Sequence, residues 1–251
     1  MFFGRKKDTN TISNSTAAAT GTSSGSGKIR LTKASEGLDR SIIRLTKTTG
    51  VDLGHHKARV FVVMDRSGSM YELYRNGSVQ EALTRFLPLA LKFDDNGELE
   101  VYVFNGSCTR VPEPMTIHNY ENYVENVILR NGLGPTGGTN YAPVIKQTMR
   151  DYDDGDPNPA FGFIITDGDN FDKSETDAIV RKSSKYKTFY EFIGIGNSSF
   201  PYLEKLDELN GRTVDNTAFF KVTDFSRLSD DELYDKLLEQ YPQWLRAWRI
   251  N

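Results

Sequence analysis

Two short runs of almost wholly apolar residues, each closed by an aspartate at a turn, limit most strongly what this chain can become. They are Val60-Phe61-Val62-Val63-Met64-Asp65 and Phe161-Gly162-Phe163-Ile164-Ile165-Thr166-Asp167. A strand that is apolar at every position is buried on both faces, which calls for a parallel sheet covered by helices on each side. From residue 58 onward, strand and helix patterns alternate, as βαβ units do. After the first run, Ser78 to Phe93 reads as a helix opened by a Ser78–Glu81 capping box and bent at Pro88. Residues 98–104 form a strand with a short return at 109–111, then come helices at 120–129 and 141–152. Beyond the 160–166 strand follow a helix at 174–185, a strand at 188–195, a helix at 200–209, a strand at 218–222 and a helix at 230–240. The fold class expected is α/β: a doubly wound, mostly parallel sheet of five to six strands flanked by helices, occupying residues 51–251.

The first run leads into Asp65-Arg66-Ser67-Gly68-Ser69, a carboxylate and two hydroxyls at alternate positions in a tight turn. Ligands of open α/β sheets bind at the carboxyl ends of the strands. Hard oxygens gathered there without His or Cys suit a hard cation such as Mg2+, with Mn2+ or Ca2+ as alternatives. The Gly-rich loop Gly134-Pro135-Thr136-Gly137-Gly138-Thr139-Asn140-Tyr141 adds further hydroxyls, and the second run ends in Asp167-Gly168. Asp65, Ser67, Ser69, Thr139 and Asp167 can meet only if the two apolar strands are neighbours, which right-handed crossovers allow.

Asp-x-Ser-x-Ser, a threonine in a Gly-rich loop, and strand-Thr-Asp-Gly, in that order, resemble the metal-ion-dependent adhesion site of von Willebrand factor type A (vWA) domains. Asp65, Ser67, Ser69 and Asp167 match that pattern. Thr139 is the preferred loop threonine because it directly follows the two glycines, with Thr136 and Asp169 as candidates for the outer shell. Within the family the chain is similar to the TerF-type vWA proteins of tellurite-resistance operons. The carriers are Ser67-Gly68-Ser69-Met70-Tyr71-Glu72-Leu73-Tyr74-Arg75-Asn76-Gly77-Ser78-Val79-Gln80, Phe93-Asp94-Asp95-Asn96-Gly97 and Tyr241-Pro242-Gln243-Trp244-Leu245. The resemblance covers roughly residues 40–251 and implies a Mg2+ ion whose open position takes an Asp or Glu carboxylate from a protein partner. TerF-type proteins often carry a TerD-like β domain ahead of the vWA unit; only a fragment could remain here, so calcium binding by such a domain is not carried over.

Ahead of the α/β pattern, residues 1–27 are dominated by Ser, Thr, Asn, Ala and Gly beyond a short basic start and are expected to be a disordered tail. Residues 28–50 hold an echo, Ile29-Arg30-Leu31-Thr32-Lys33 and Ile43-Arg44-Leu45-Thr46-Lys47, whose alternation predicts two short strands around a turn at 35–39. Charge divides unevenly: residues 1–50 carry nine Lys/Arg and three Asp/Glu, residues 51–251 twenty-two and thirty-one. An acidic body argues against a nucleic-acid face. One cysteine, Cys108, leaves no intrachain disulfide to form. No apolar region follows the first cations, and no run approaches the ~20 residues of a membrane span, so a cytoplasmic protein without membrane insertion is expected.

Together with these features, the resemblance implies a non-enzymatic, Mg2+-dependent protein-interaction module, an adaptor or scaffold in a bacterial tellurite-resistance or related stress system. One alternative is a vWA subunit serving a MoxR or chelatase-type ATPase. Another is a Mg2+-dependent phosphoryl-transfer or hydrolytic enzyme. Against the enzyme stand the lack of an Asp-x-Asp pair at Asp65, of a lysine in the Gly-rich loop and of a paired nucleophile and base.

Overall fold

The two apolar runs lie side by side at the centre of a six-stranded sheet. A computed structural model describes residues 23–250 of the chain. Its strands are β1 (Arg59–Asp65), β2 (Glu100–Phe104), β3 (Cys108–Arg110), β4 (Ala160–Thr166), β5 (Thr188–Ile195) and β6 (Thr217–Val222). They run in the order β3-β2-β1-β4-β5-β6, all parallel except β3, which returns antiparallel on β2 at the edge. The β1–β4 register pairs Val63 with Ile164 and Met64 with Ile165, so both strands deliver their terminal residues to the same edge.

The helices are α1 (Ser23–Thr49), α2 (Tyr71–Arg75), α3 (Ser78–Phe93), α4 (Ala142–Tyr152), α5 (Lys173–Ser183), α6 (Pro201–Asp207), α7 (Asp230–Leu238) and α8 (Tyr241–Ala247). Alternate residues of each strand feed two cores. Val60, Val62 and Met64 join α3, α7 and α8 on one face, whereas Phe61 and Val63 join α4, α5 and α6 on the other. This two-sided burial explains why β1 and β4 are apolar throughout. Residues 124–129, expected as part of an α-helix, form a π-helical turn.

Residues 28–49 are helical, contrary to the two strands expected within 28–50. The two Ile-Arg-Leu-Thr-Lys copies stand fourteen residues apart, about four turns of α-helix, so equivalent residues share a face. Arg30 and Arg44 both reach acids of α7, Leu31 and Leu45 both pack on the core, and Ile29 and Ile43 both face solvent. Five alternating residues fit a strand, but the fourteen-residue spacing is what tertiary packing selected. Gly37 is no turn residue either. A Cβ there would lie 2.6 Å from Asp230 Cβ, so glycine lets α1 cross close over α7. Residues 23–27 of the expected tail form the first turns of α1; the remainder, 1–22, lies outside the described residues.

The helix starts also differ from expectation. At α3 the Ser78–Glu81 box does not form. Gly77 is the N-cap, Asn76 Oδ1 accepts from the Ser78 N–H at 3.0 Å, and Glu81 pairs with Arg30. The capping box belongs to α7, where Ser229 Oγ accepts from the Glu232 N–H and Glu232 accepts in return from the Ser229 N–H. Helix α3 runs unbroken through the buried Pro88. Among the described residues no helix is long and apolar enough to cross a membrane.

Candidate metal centre

At the carboxyl edge of β1 and β4 a chain of hydrogen bonds leads from the interior to solvent. Asp65, the last residue of β1, is fully buried. Its Oδ1 accepts from the Ser67 N–H and its Oδ2 from Thr166 Oγ1, both at 2.6 Å. Ser67 Oγ and Ser69 Oγ share a hydrogen bond of 3.1 Å, and Ser69 Oγ donates to Asp167 Oδ1 at 2.8 Å. Four of the five residues expected at the site are thereby linked. Ser67 is buried, Asp167 half-buried and Ser69 exposed, so the cluster opens outward at Ser69 and Asp167.

The Gly-rich loop is clamped against this turn by its backbone. The Gly68 N–H donates to Gly137 O (3.0 Å) and the Thr136 N–H to Arg66 O (2.6 Å), while Asn105 Nδ2 donates to Thr136 O (3.0 Å). Thr139 is buried, and among the described residues its hydroxyl has no hydrogen-bond partner. Thr136 is exposed and engaged through its backbone only. Asp169 is paired with Lys173 and accepts from the Asn170 N–H. No hydrogen bond joins it to Asp65, Ser67, Ser69 or Asp167 among the described residues. Asp172 caps α4, accepting from the Tyr141 N–H at 3.0 Å and the Ala142 N–H at 2.8 Å.

Thr166 is the residue of the candidate centre that reading the sequence missed, its hydroxyl bound to Asp65. It stands one position beyond the last registered pair of β1 and β4, Met64 and Ile165, which sets it opposite Asp65. Two tyrosines brace the turns: Tyr74 OH donates to Asp65 O (3.2 Å) and Tyr141 OH to Gly168 O (2.7 Å). Burial pushes the Asp65 carboxyl up to about 6, against the pull of Thr166 and the Ser67 N–H, and burial also raises Asp167.

The donor set fits a hard divalent cation. Two carboxylates and the hydroxyls of Ser67, Ser69 and Thr139 are all oxygen, and since no three His, Cys, Asp or Glu converge among the described residues, hydroxyls would have to supply part of the set. A positive charge here would favour the ionised carboxylates that burial alone disfavours.

A family model of the vWA domain found at the C terminus of TerF matches residues 57–251. The chain is 40% identical over 204 residues to the uncharacterized protein YcbR of Bacillus subtilis, covering 81% of this chain and 80% of that protein. Among solved structures it is similar to a von Willebrand factor type A protein from Catenulispora acidiphila, with a TM-score of 0.52 and 17% identity over 75% of this chain and 42% of that one. It is also similar to proximal thread matrix protein 1 of the mussel byssus with a zinc-occupied MIDAS motif, at TM-score 0.51 and 19% identity over 72% and 48%. The chain spans less than half the length of each of these two solved chains.

Proposed function

The chain belongs to the family of TerF-like vWA domains, and from that premise we propose that it is a non-enzymatic, divalent-cation-dependent protein-recognition module. Asp65, Ser67, Ser69, Thr139 and Asp167 would hold the ion, Mg2+ by preference, and an Asp or Glu of a protein partner would complete its coordination. The observation that carries this reading is the linked series Asp65–Ser67–Ser69–Asp167, buried at one end and open to solvent at the other. The ion, when bound, supplies a Lewis-acidic position that a carboxylate can fill. Asp65 supplies negative charge from a dry interior, and Thr166 and the Ser67 N–H hold that carboxylate in one orientation. Ser69 and Asp167 meet the incoming group at the surface.

A protein similar in fold, the mussel byssus protein with its zinc-occupied MIDAS motif, supports a divalent ion here. The all-oxygen donors support Mg2+ among such ions. The TerF-like match supports a place in a cytoplasmic bacterial tellurite-resistance or related stress system.

Calorimetric titration of Mg2+ and Mn2+ into chelator-stripped protein tests the reading. Saturable binding in the wild type, abolished by Asp65→Ala and by the more exposed Asp167→Ala, is expected. Heats that are the same in all three proteins would overturn it.

A further inference from the structure

Phe171 is 84% exposed, more than any other large apolar side chain among the described residues. An aromatic ring left in water forgoes a large burial energy, and exposed rings at mobile tips need no explanation. This one is held in place. Its N–H donates to Thr139 O at 3.0 Å, inside the Gly-rich loop of the metal centre. The preceding Asn170 is buried, with its Nδ2 donating to Asp172 Oδ1 (2.7 Å) and Thr176 Oγ1 (3.1 Å). The ring lies against Gly138 so closely that a Cβ at that position would come within 2.9 Å of Phe171 Cε2. A second exposed aromatic, Tyr71 at 57%, follows two residues after Ser69. Both segments that bring a surface ligand to the proposed ion therefore also present an aromatic ring.

We infer that Phe171, with Tyr71 contributing, is a specificity-determining shoulder of the metal centre: it selects a polypeptide segment in which the ion-binding carboxylate stands next to a bulky apolar side chain. The inference rests on the cation-dependent reading above and names the partner's chemistry. Charge on the Phe171 segment agrees with it. Asp169 is neutralised by Lys173, and Asp172 is consumed in capping α4. An approaching carboxylate thus meets no uncompensated anion from this loop. Nor does it meet a spare cation there, so a carboxylate reaches the ion while the rest of the ligand meets a ring. A polyphosphate or nucleic acid could place an oxygen on the same ion, but its neighbouring charges would find an apolar surface, whereas an apolar neighbour finds one it can bury. An aromatic side chain has only two torsions to fix and so loses little entropy on binding, which is how aromatic anchors come to dominate interfaces.

Small carboxylates separate the two contributions. Acetate carries the carboxylate alone, and 3-phenylpropionate adds an apolar group. Each is titrated into the full chain in saturating Mg2+ and followed by amide chemical shifts at Gly137, Gly138 and Phe171. Shielding ~55 Å2 of apolar surface corresponds to about tenfold in affinity, so 3-phenylpropionate is expected to bind about tenfold more tightly than acetate. Phe171→Ser should remove most of that gap and Phe171→Tyr should keep it, with acetate affinity unchanged across the three proteins. Equal affinities in the wild type, or a gap that survives Phe171→Ser, would overturn the inference while leaving the ion in place. Absence of any Mg2+ binding would overturn it together with the reading on which it rests.

Discussion

Asp65 is fully buried, and whether it can serve a cation depends on the two donors that orient it. Only proline would remove the Ser67 N–H, and it would take the Ser67 hydroxyl with it, but the Thr166 hydroxyl can be removed alone, and Thr166→Val keeps the shape of the buried side chain. Partners that orient a metal ligand are typically worth ten- to a hundredfold in metal affinity. Thr166→Val is therefore expected to weaken Mg2+ binding by about tenfold in calorimetry, with little loss of binding stoichiometry. An unchanged affinity would show that the Ser67 N–H alone suffices. Asp169→Asn, by contrast, should leave Mg2+ affinity within about twofold, because Asp169 is already engaged by Lys173 and Asn170. Residues of the centre that are close in sequence were legible from it: Asp65, Ser67 and Ser69 lie in one turn whose spacing announces a set of oxygens. Thr166 was not, since its bond to Asp65 crosses between strands and exists only in the register that pairs Met64 with Ile165. Nor could residue spacing reveal that Asp172 serves as a cap for α4, for the helix it caps begins thirty residues earlier in the chain.

Among the elements, α1 departs furthest from what its sequence suggested, and two kinds of contact fasten it. Arg40 and Arg44 pair with Asp231 and Asp235 at exposed positions, while Ala34, Leu38 and Ile42 are buried against the same core as α3 and α7. Exposed pairs contribute little and fade with salt, whereas a fully buried leucine carries both transfer and cavity terms. Leu38→Ala is thus expected to cost about 3 kcal/mol in denaturant unfolding. Asp231→Ala should have a much smaller effect that vanishes at high ionic strength. The reverse order would mean that charge, not apolar contact, holds the helix. The strands were easier to read because a continuous apolar run bounded by turns admits few alternatives in an alternating α/β chain. A short amphipathic segment such as Ile29–Lys33 satisfies the strand period and the helix period over five residues, and only the distance to its copy at Ile43–Lys47 separates them.

Across the whole molecule, chemistry and stability lie at opposite ends of the sheet. The carboxyl ends of β1 and β4 carry the proposed metal centre, whereas at their amino ends Tyr241 of α8 stacks on Phe161 with ring centroids 4.0 Å apart and packs beside Phe189 and Trp244. His56 closes this aromatic pole, buried between Phe93 and Tyr241, with Nε2 and Tyr241 OH 2.9 Å apart. Burial pushes the His56 imidazole down from 6.5 to about 4. Between those values the unfolded chain takes up a proton that the folded one refuses, so stability is full above about pH 6.5 and falls as the pH drops towards 4. The full loss amounts to about 3 kcal/mol. Buried acids act in the opposite sense. Burial raises Glu191 well above its usual range and Asp207 to about 6, so what they contribute is present at low pH and is lost as the pH rises through their folded values. A single pH profile therefore mixes both signs, but the difference between the wild type and His56→Gln isolates the imidazole, since the glutamine amide can still meet Tyr241 OH and does not titrate. Denaturant unfolding at pH 7 and pH 4 should show the wild type losing about 3 kcal/mol more than His56→Gln over that interval. Parallel losses would mean that His56 takes up its proton in the folded state without leaving the aromatic pole, and that the acid sensitivity of the fold resides elsewhere.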